Sequence, residues 1–361
     1  MRIAILWIEL TGYLNSCLHE LASRPGTELF VAHRPPGADS PFAGEQFAWL
    51  SEQFVWRSSS QLKDLDVRLA VFQPDVIVFA GWTIPAYRRI AKEWNTRAVR
   101  IMTMDNCWLG TPAQWAACIT ADLFVQTLAD AIWVPGERQA AFASKMHFKR
   151  SEILHGLYAC DYPAFSAVHE ARVQRQLPPE RAFIFVGRMI MKKGIPCLAQ
   201  AYRLYRNRVA YPWPLLCYGT GPLSEMLKNE PGVTVDSFVQ PDQLPSKMAN
   251  ASCLVLPSIF EPWALVVQEA AAAGLLILAS SAVGAVPHLV QDNYNGFVFD
   301  VNDVEGLCQL MERVSQMSET KLTSMGNASS SLARQFTPNR WATTLLEYME
   351  IAHQRDSRRG C

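Results

Sequence analysis

Residues 253–269 run Cys253-Leu-Val-Leu-Pro-Ser258, then Ile259-Phe260, then Glu261-Pro-Trp-Ala-Leu-Val-Val-Gln-Glu269. The first segment is an apolar run of strand length, and the third has the composition of a helix that begins with Pro262 at position N1. Two acids mark the ends of the third segment. An acid at a helix start favours the helix dipole, and the second acid alone would be an ordinary helix-face residue. Together with the strand and the loop, however, they predict a site that binds hydroxyls and an anion.

A strand-and-helix alternation extends from this stretch in both directions. Apolar runs predict strands at residues 2–8, 28–32, 76–80, 98–103, 131–134, 182–186, 214–218, 233–238, 253–256, 276–279 and 297–299. Helices are predicted at residues 13–22, 60–72, 84–94, 137–146, 197–208, 223–229, 241–248, 263–273, 304–315 and 338–354. Such alternation is typical of parallel βα units, so we expect an α/β protein with two doubly wound domains and a cleft at the carboxyl ends of their strands.

The chain length and one weak stretch predict where the domains divide. A chain of 361 residues is long for a single core, and prolines interrupt the pattern at residues 160–180, which suggests a linker. We therefore expect an N-terminal domain at residues 1–165 and a C-terminal domain at residues 166–337.

The composition excludes several classes of protein. Lys+Arg and Asp+Glu both count 33, so the chain lacks the basic excess of a duplex nucleic-acid binder. The nine cysteines form no CxxC pair, which favours reduced thiols in the cytoplasm over disulfides or a zinc site. The N-terminus is predicted to be a strand and not a signal peptide, and the longest apolar run, residues 263–279, is too short and polar to span a bilayer.

A second motif follows the predicted strand at residues 182–186. The sequence continues Gly187-Arg188-Met-Ile-Met-Lys192-Lys193-Gly194, so a tight turn and two cations precede a helix. Fixed donors at a helix N-terminus, with an arginine and a lysine, are typical of a diphosphate site. The alternative, two solvated surface cations, is open from these residues alone.

Two further motifs carry weaker signals. Gly219-Thr-Gly221-Pro222 lacks the third glycine of a dinucleotide fingerprint, so it indicates a close backbone approach to a nucleotide and not an NAD site. Asp64-Leu-Asp66 resembles a metal-binding pair, but it falls within a predicted helix, where residues i and i+2 point apart. We therefore predict no metal site.

The ordered motifs resemble those of the family 4 glycosyltransferases, which are retaining enzymes of the GT-B fold. The resemblance covers roughly residues 183–299 and rests on Val186-Gly-Arg188…Lys193-Gly194, on Gly219-Thr-Gly221-Pro222, and on Pro257-Ser258…Glu261-Pro262…Glu269-Ala270. It implies a GT-B fold of two Rossmann-like domains, in which the C-terminal segment, residues 338–361, packs back on the N-terminal domain. The N-terminal half resembles the family only in layout.

The resemblance also implies roles for individual residues. Arg188 and Lys193 would bind and stabilise the diphosphate of a nucleoside-diphosphate sugar, and Glu261 would bind hydroxyls of the donor sugar. Glu269 would bind the ribose. The other implied donor-binding positions are Gly12, Gly187, Gly219, Phe238, Val239, Ala264, Leu265 and Val266.

The reaction that the resemblance implies is metal-independent transfer with retention of anomeric configuration. The donor would be a UDP-sugar first and a GDP-sugar second, and no cofactor is expected. The acceptor would be a glycan, a lipid-linked glycan or a small molecule, and no nucleic acid is expected as a partner. The histidine common in the family is replaced by Asp105, which would orient the acceptor or sugar, or would serve only as a strand-end cap.

Two alternatives stay open. The chain would instead be a non-catalytic nucleotide-sugar-binding subunit or an epimerase of the same fold, although the intact charged residues argue against a non-catalytic subunit.

The N-terminal half is locally basic near Arg88, Arg100 and Lys145, with Phe142, Met146 and Phe148 close by in sequence. This pattern predicts either solvated helix faces or peripheral contact with an anionic membrane at its cytoplasmic face.

Overall fold

A computed structural model describes residues 1–35, 37, 44–58 and 60–359 of the chain. The chain divides into two compact units. The first contains residues 1–159 and the segment from Pro338 onward, and the second contains Cys160–Thr337.

The first unit is built on a seven-stranded sheet. Its strands are β1 (Arg2–Glu9), β2 (Glu28–Arg34), β3 (Gln53–Val55), β4 (Val76–Ala80), β5 (Val99–Thr103), β6 (Ala131–Trp133) and β7 (Ile153–Leu154). All pairings are parallel and the order is β3-β2-β1-β4-β5-β6-β7. The helices that connect them are α1 (Gly12–Ala22), α2 (Leu62–Phe72), α3 (Pro85–Glu93), α4 (Pro112–Ile119) and α5 (Glu137–Lys145).

The second unit repeats this architecture with six strands. They are β8 (Phe183–Val186), β9 (Leu215–Tyr218), β10 (Val233–Asp236), β11 (Cys253–Leu256), β12 (Leu276–Ser280) and β13 (Gly296–Phe299), in the parallel order β10-β9-β8-β11-β12-β13. The helices are α6 (Tyr162–Gln174), α7 (Ile195–Arg208), α8 (Ser224–Lys228), α9 (Leu244–Met248), α10 (Leu265–Ala272), α11 (Val286–Leu289), α12 (Val304–Ser315) and α13 (Glu319–Ala333).

The C-terminal helix, α14 (Pro338–Arg359), belongs to the first unit although it follows the second in sequence. Trp341 is buried in the first unit, where its ring stacks on Trp133 with the centroids 4.7 Å apart. Its indole N–H also donates to the Leu157 carbonyl oxygen at 2.9 Å. A buried aromatic pair with its polar atom satisfied fixes α14 firmly to the sheet.

The segment predicted to be a linker is instead helical. Helix α6 covers most of residues 160–180, and the Asp161 carboxylate caps it by accepting from the Ala164 amide. Phe165 is buried, and the Arg172 guanidinium donates to the carbonyl oxygens of Ala249 and Ala251. The units therefore divide between Ala159 and Cys160, upstream of the boundary expected after residue 165.

The apolar residues of the basic region in the first unit are not available for membrane contact. Phe142, Met146 and Phe148 are core residues, because the apolar side of α5 packs against the sheet. Arg100 is also buried, and its guanidinium pairs with the Asp130 carboxylate at 2.7 Å. Within the described ranges, no helix combines the length and the apolarity needed to cross a bilayer.

Candidate active site

The centre of the second sheet creates a crevice. Strands β8 and β11 are adjacent, and the chain winds outward from them in opposite directions through β9 and β12. Loops that leave two such strands diverge, and ligands of doubly wound sheets bind in the opening outside their carboxyl ends. The loops here are residues 187–194 and 257–264, so the two strongest motifs of the sequence meet at this switch point.

The two loops touch through their backbones. The Ile259 amide donates to the Lys192 carbonyl oxygen at 2.8 Å. Gly194 has a φ of +69°, and a Cβ atom there would lie 1.8 Å from the Pro257 carbonyl oxygen. Only glycine fits both the left-handed conformation and this close approach. The contact fixes the position of Lys193, which immediately precedes Gly194.

The Lys193 ammonium and the Glu261 carboxylate form a largely buried ion pair. The sequence predicted that both residues bind a ligand. In the structure they bind each other. A lysine held by one carboxylate on a flexible stem can exchange that partner for another anion of suitable geometry. Their predicted roles stay predictions.

The N-terminus of α10 presents free amides beside this pair. The helix begins at Leu265, and its N-cap is Ala264, so Pro262 is not at N1 as the sequence predicted. Residues 261–263 lie before the helix and pair with another segment: Glu261 forms a parallel bridge with Val283, and the Trp263 carbonyl oxygen accepts from the Ala285 amide.

Ala264 has a φ of +80°, in the left-handed region. This conformation turns the chain into α10. The amides of Ala264, Leu265 and Val266 have no acceptor within the described part of the chain. Three such donors at the positive end of a helix dipole form an anion site.

Glu269 lies on α10 about one turn further along. Its carboxyl is mostly buried, and desolvation raises its pKa to about 8. No cation pairs with it among the described residues, so the group is mainly protonated at neutral pH. A buried carboxyl without a charged partner is costly to ionise, and perturbed groups of this kind are common in functional sites.

The β8 and β9 turns form a layer of closely packed backbone. A Cβ atom at Gly219 would lie 2.1 Å from the Gly187 carbonyl oxygen, and one at Gly221 would lie 2.4 Å from the Met189 carbonyl oxygen. Arg188 is exposed on this layer. Phe238 and Val239 follow β10 and are partly exposed, so they are accessible for the predicted contact with the base.

The first unit has a different cluster at the carboxyl ends of its strands. Gly12 begins α1 directly after β1, and Asp105 follows β5. The Tyr158 hydroxyl donates to an Asp105 carboxylate oxygen at 3.1 Å, and the Tyr158 ring packs edge-on against Tyr13 with centroids 5.2 Å apart. Burial raises the pKa of Tyr13.

Tyr158 was not predicted from the sequence as a site residue. No local motif surrounds it, since it reaches Asp105 only because the chain folds back after β7. The contacts of Asp105 fit both a capping role and an orienting role.

In the part of the chain that the structure describes, no group of three or more His, Cys, Asp or Glu side chains is placed to hold a metal ion. Asp66 of the predicted Asp64/Asp66 pair lies on α2 and binds the Arg89 guanidinium at 2.6 Å. The pair is thus part of a helix surface.

Comparison with known sequences identifies the second unit. Residues 169–330 match a family model described as Glycosyl transferases group 1. An uncharacterised glycosyltransferase of Methanocaldococcus jannaschii is 31% identical over 124 residues, which cover 32% of this chain and 31% of that protein. The aligned segment thus spans about a third of the relative's length.

Comparison with solved structures extends over nearly the whole chain. A glycosyltransferase of Rickettsia africae has a TM-score of 0.71 at 16% identity, covering 97% of this chain and 99% of that one. HepE of Anabaena, solved with UDP and glucose, has a TM-score of 0.69 at 17% identity and covers 96% and 99%. These comparisons confirm the predicted fold class and the predicted resemblance. The chain has the GT-B fold, resembles the family 4 glycosyltransferases and carries the group 1 glycosyltransferase match in its second unit.

Proposed function

We propose that this protein is a retaining glycosyltransferase that moves a sugar from a nucleoside-diphosphate sugar to a hydroxyl acceptor. The strongest support for this function is the arrangement at the β8/β11 switch point, where the Lys193–Glu261 pair lies beside the free amides of α10. A sugar diphosphate requires these groups: a cation and fixed amide donors for its phosphates, and a carboxylate that accepts hydrogen bonds from its hydroxyls. The solved complex of HepE with UDP and glucose favours a UDP-sugar as donor, with a GDP-sugar second.

In this proposal the Lys193 ammonium leaves Glu261 for the donor diphosphate. Glu261 then accepts hydrogen bonds from sugar hydroxyls, and the amides of Ala264, Leu265 and Val266 receive an anionic oxygen. Negative charge grows on the departing phosphate in the transition state, so preorganised donors stabilise it more than they stabilise the bound substrate. Arg188 adds a second cation from the exposed side of the same loop.

No metal is needed for the proposed step, because Lys193, Arg188 and the helix N-terminus supply the positive charge. The departing phosphate would take the acceptor proton on the same face of the sugar, which retains the anomeric configuration. Glu269 is proposed to bind the ribose hydroxyls as a carboxylate, and Asp105 to orient the acceptor or the sugar. The acceptor class remains a glycan, a lipid-linked glycan or a small molecule.

A cytoplasmic location is part of the proposal. The eight cysteines in the described ranges are free thiols, and most of them are buried. Unpaired core thiols are typical of a reducing compartment.

The test has two stages. A thermal-shift screen of UDP-, GDP- and ADP-sugars identifies the donor by the largest rise in melting temperature. Release of nucleoside diphosphate from that donor is then measured with and without EDTA. We expect turnover that EDTA leaves unchanged. Binding without any turnover would favour the non-catalytic subunit, and loss of turnover in EDTA would refute the metal-free reaction.

A further inference from the structure

Large apolar side chains are exposed on α4 and directly beside it in the first unit. Leu109 is 59% exposed, Trp115 55%, Ile119 78% and Leu123 83%. We call these four residues the α4 face. Trp115 and Ile119 lie four residues apart on α4, Leu109 precedes the helix, and Leu123 ends the short helical turn Ala121–Leu123 that follows it. Residues with this spacing share one side of a helix.

Helix α4 is held in place, so this exposure is a fixed feature of the surface. Thr111 and Gln114 form a capping box, and Pro112 occupies the first helical position. The Gln114 side-chain amide also donates to the Cys107 carbonyl oxygen at 2.7 Å. Cys118 is the buried residue of the helix. The fold therefore does not use Trp115 or Ile119 in its core, and a grouped apolar surface of this kind indicates a binding surface.

Cations flank the α4 face. The Lys145 ammonium lies 4.9 Å from the centre of the Trp108 ring, which packs edge-on against Trp115 at 5.1 Å. The Arg88 guanidinium lies 5.8 Å from the Phe124 ring, next to Leu123 in sequence. Helix α4 itself has no charged residue.

One acid adjoins the α4 face. Asp122 precedes Leu123, and the His147 ring contacts its carboxylate at 2.8 Å. The α4 face therefore has an apolar centre, flanking cations and one acid that already has a partner.

We propose that the α4 face docks on an anionic phospholipid surface. Ile119 and Leu123 would enter the boundary between headgroups and acyl chains, and the Trp115 indole would lie at headgroup level, where tryptophan is enriched. Lys145 and Arg88 would meet the lipid phosphates. A second copy of the chain fits less well, because a two-fold interface would bring the same cations towards each other. The apolar residues of the α4 face differ from Phe142, Met146 and Phe148, which are buried. The flanking cations Arg88 and Lys145 belong to the basic region that the sequence indicated.

The test is co-sedimentation of the full chain with phosphatidylcholine vesicles, with and without phosphatidylglycerol. We expect binding only when the anionic lipid is present. The triple variant Trp115→Ser, Ile119→Ser, Leu123→Ser should bind at least about tenfold more weakly, because it removes the apolar contacts. The matched control is Val67→Ser with Val71→Ser on α2, where the valines are 65% and 79% exposed, and it should bind like the unchanged chain.

Three results would overturn the proposal. They are no binding to anionic vesicles, equal loss of binding in the α2 control, and a concentration-dependent dimer in ultracentrifugation that the triple variant abolishes. Circular dichroism and thermal unfolding check that the triple variant folds. A Lys145→Gln, Arg88→Gln variant should lose the preference for anionic lipid even if the triple variant proves unstable. Turnover of a soluble donor is unaffected in the triple variant, which separates this proposal from the proposed function.

Discussion

The two units share one scaffold but equip it differently at their switch points. In the second unit, the β8 and β11 loops pack backbone against backbone at glycines and carry the Lys193–Glu261 ion pair. In the first unit, the corresponding edge carries the Tyr13–Tyr158–Asp105 cluster, in which side chains make the contacts. A close backbone contact restricts the residue type at each position, whereas several residue types can make a side-chain contact. The second unit is also the one that matches a family model.

The largest expected effect comes from a substitution that disrupts the backbone packing between the β8 and β11 loops. Gly194→Ala combines a left-handed φ with a Cβ atom 1.8 Å from the Pro257 carbonyl oxygen. We expect a loss of about 3 kcal/mol in the free energy of unfolding, measured in urea. The control is Gly26→Ala in the first unit, which has a φ of +73° and no atom within 4 Å of the added carbon. It should lose only about 1 kcal/mol. Equal losses would show that the loop contact is unimportant.

Glu269 in the second unit should make the free energy of unfolding depend on pH. Its pKa of about 8 lies above the ordinary value of 4.5, so the folded state holds a proton that the unfolded state releases between these pH values. Stability should therefore fall as the pH rises through this window, by about 2 kcal/mol between about pH 6 and about pH 8.

Glu269→Gln should remove this fall, and Glu225→Gln, at an exposed position of α8, should retain it. Unfolding curves at several pH values provide the measurement. A slope that persists in Glu269→Gln would assign the effect to another group. Calorimetry with a nucleoside diphosphate adds a second check, since binding to the Glu269 carboxylate should release a proton near neutral pH.

A smaller effect is expected in the first unit. Tyr158→Phe removes the hydroxyl that donates to Asp105 at 3.1 Å, and a partly buried bond of this kind contributes about 1 kcal/mol to stability. Thermal or urea unfolding measures the loss. Tyr211→Phe, at a side chain that is 91% exposed, is the control and should be neutral. An unchanged stability in Tyr158→Phe would mean that water replaces the bond.

The smallest effect concerns Ala264, the N-cap of α10. A non-glycine residue at a φ of +80° is strained, so Ala264→Gly should stabilise the chain by less than about 1 kcal/mol. Ala272→Gly at the end of α10 should have the opposite sign, because glycine weakens a helix of ordinary φ. Destabilisation by Ala264→Gly would show that the alanine methyl packs usefully, since the side chain is largely buried.

Much of the fold was predictable from the sequence, because buried parallel strands are continuous apolar runs. Strands β4 and β11 have the predicted bounds, and so does α12. Several elements were not predicted. Strands β3 and β7 have only three and two residues, and α4 exposes its apolar side chains to solvent. Helices α11 and α13 were also not predicted. Helix α6 was missed because its prolines and polar residues resemble a linker.

The candidate site was predictable only where its constraint is local. The glycines at 187, 194 and 219 lie in short motifs, so they were found. The Lys193–Glu261 pair joins residues 68 apart, and the Tyr158–Asp105 bond joins residues 53 apart. Such pairings depend on tertiary structure and cannot be predicted from spacing along the chain.

Two adjacent lysines allow a direct test of the proposed donor site. Nucleoside diphosphate release from the donor found by thermal shift is measured in EDTA for the unchanged chain, for Lys193→Met and for Lys192→Met. Lys193 pairs with Glu261 at the switch point, whereas the Lys192 side chain is exposed. We expect Lys193→Met to slow turnover at least about 100-fold and Lys192→Met to leave it nearly unchanged. Equal turnover in the two variants would contradict a donor site at the β8/β11 switch point.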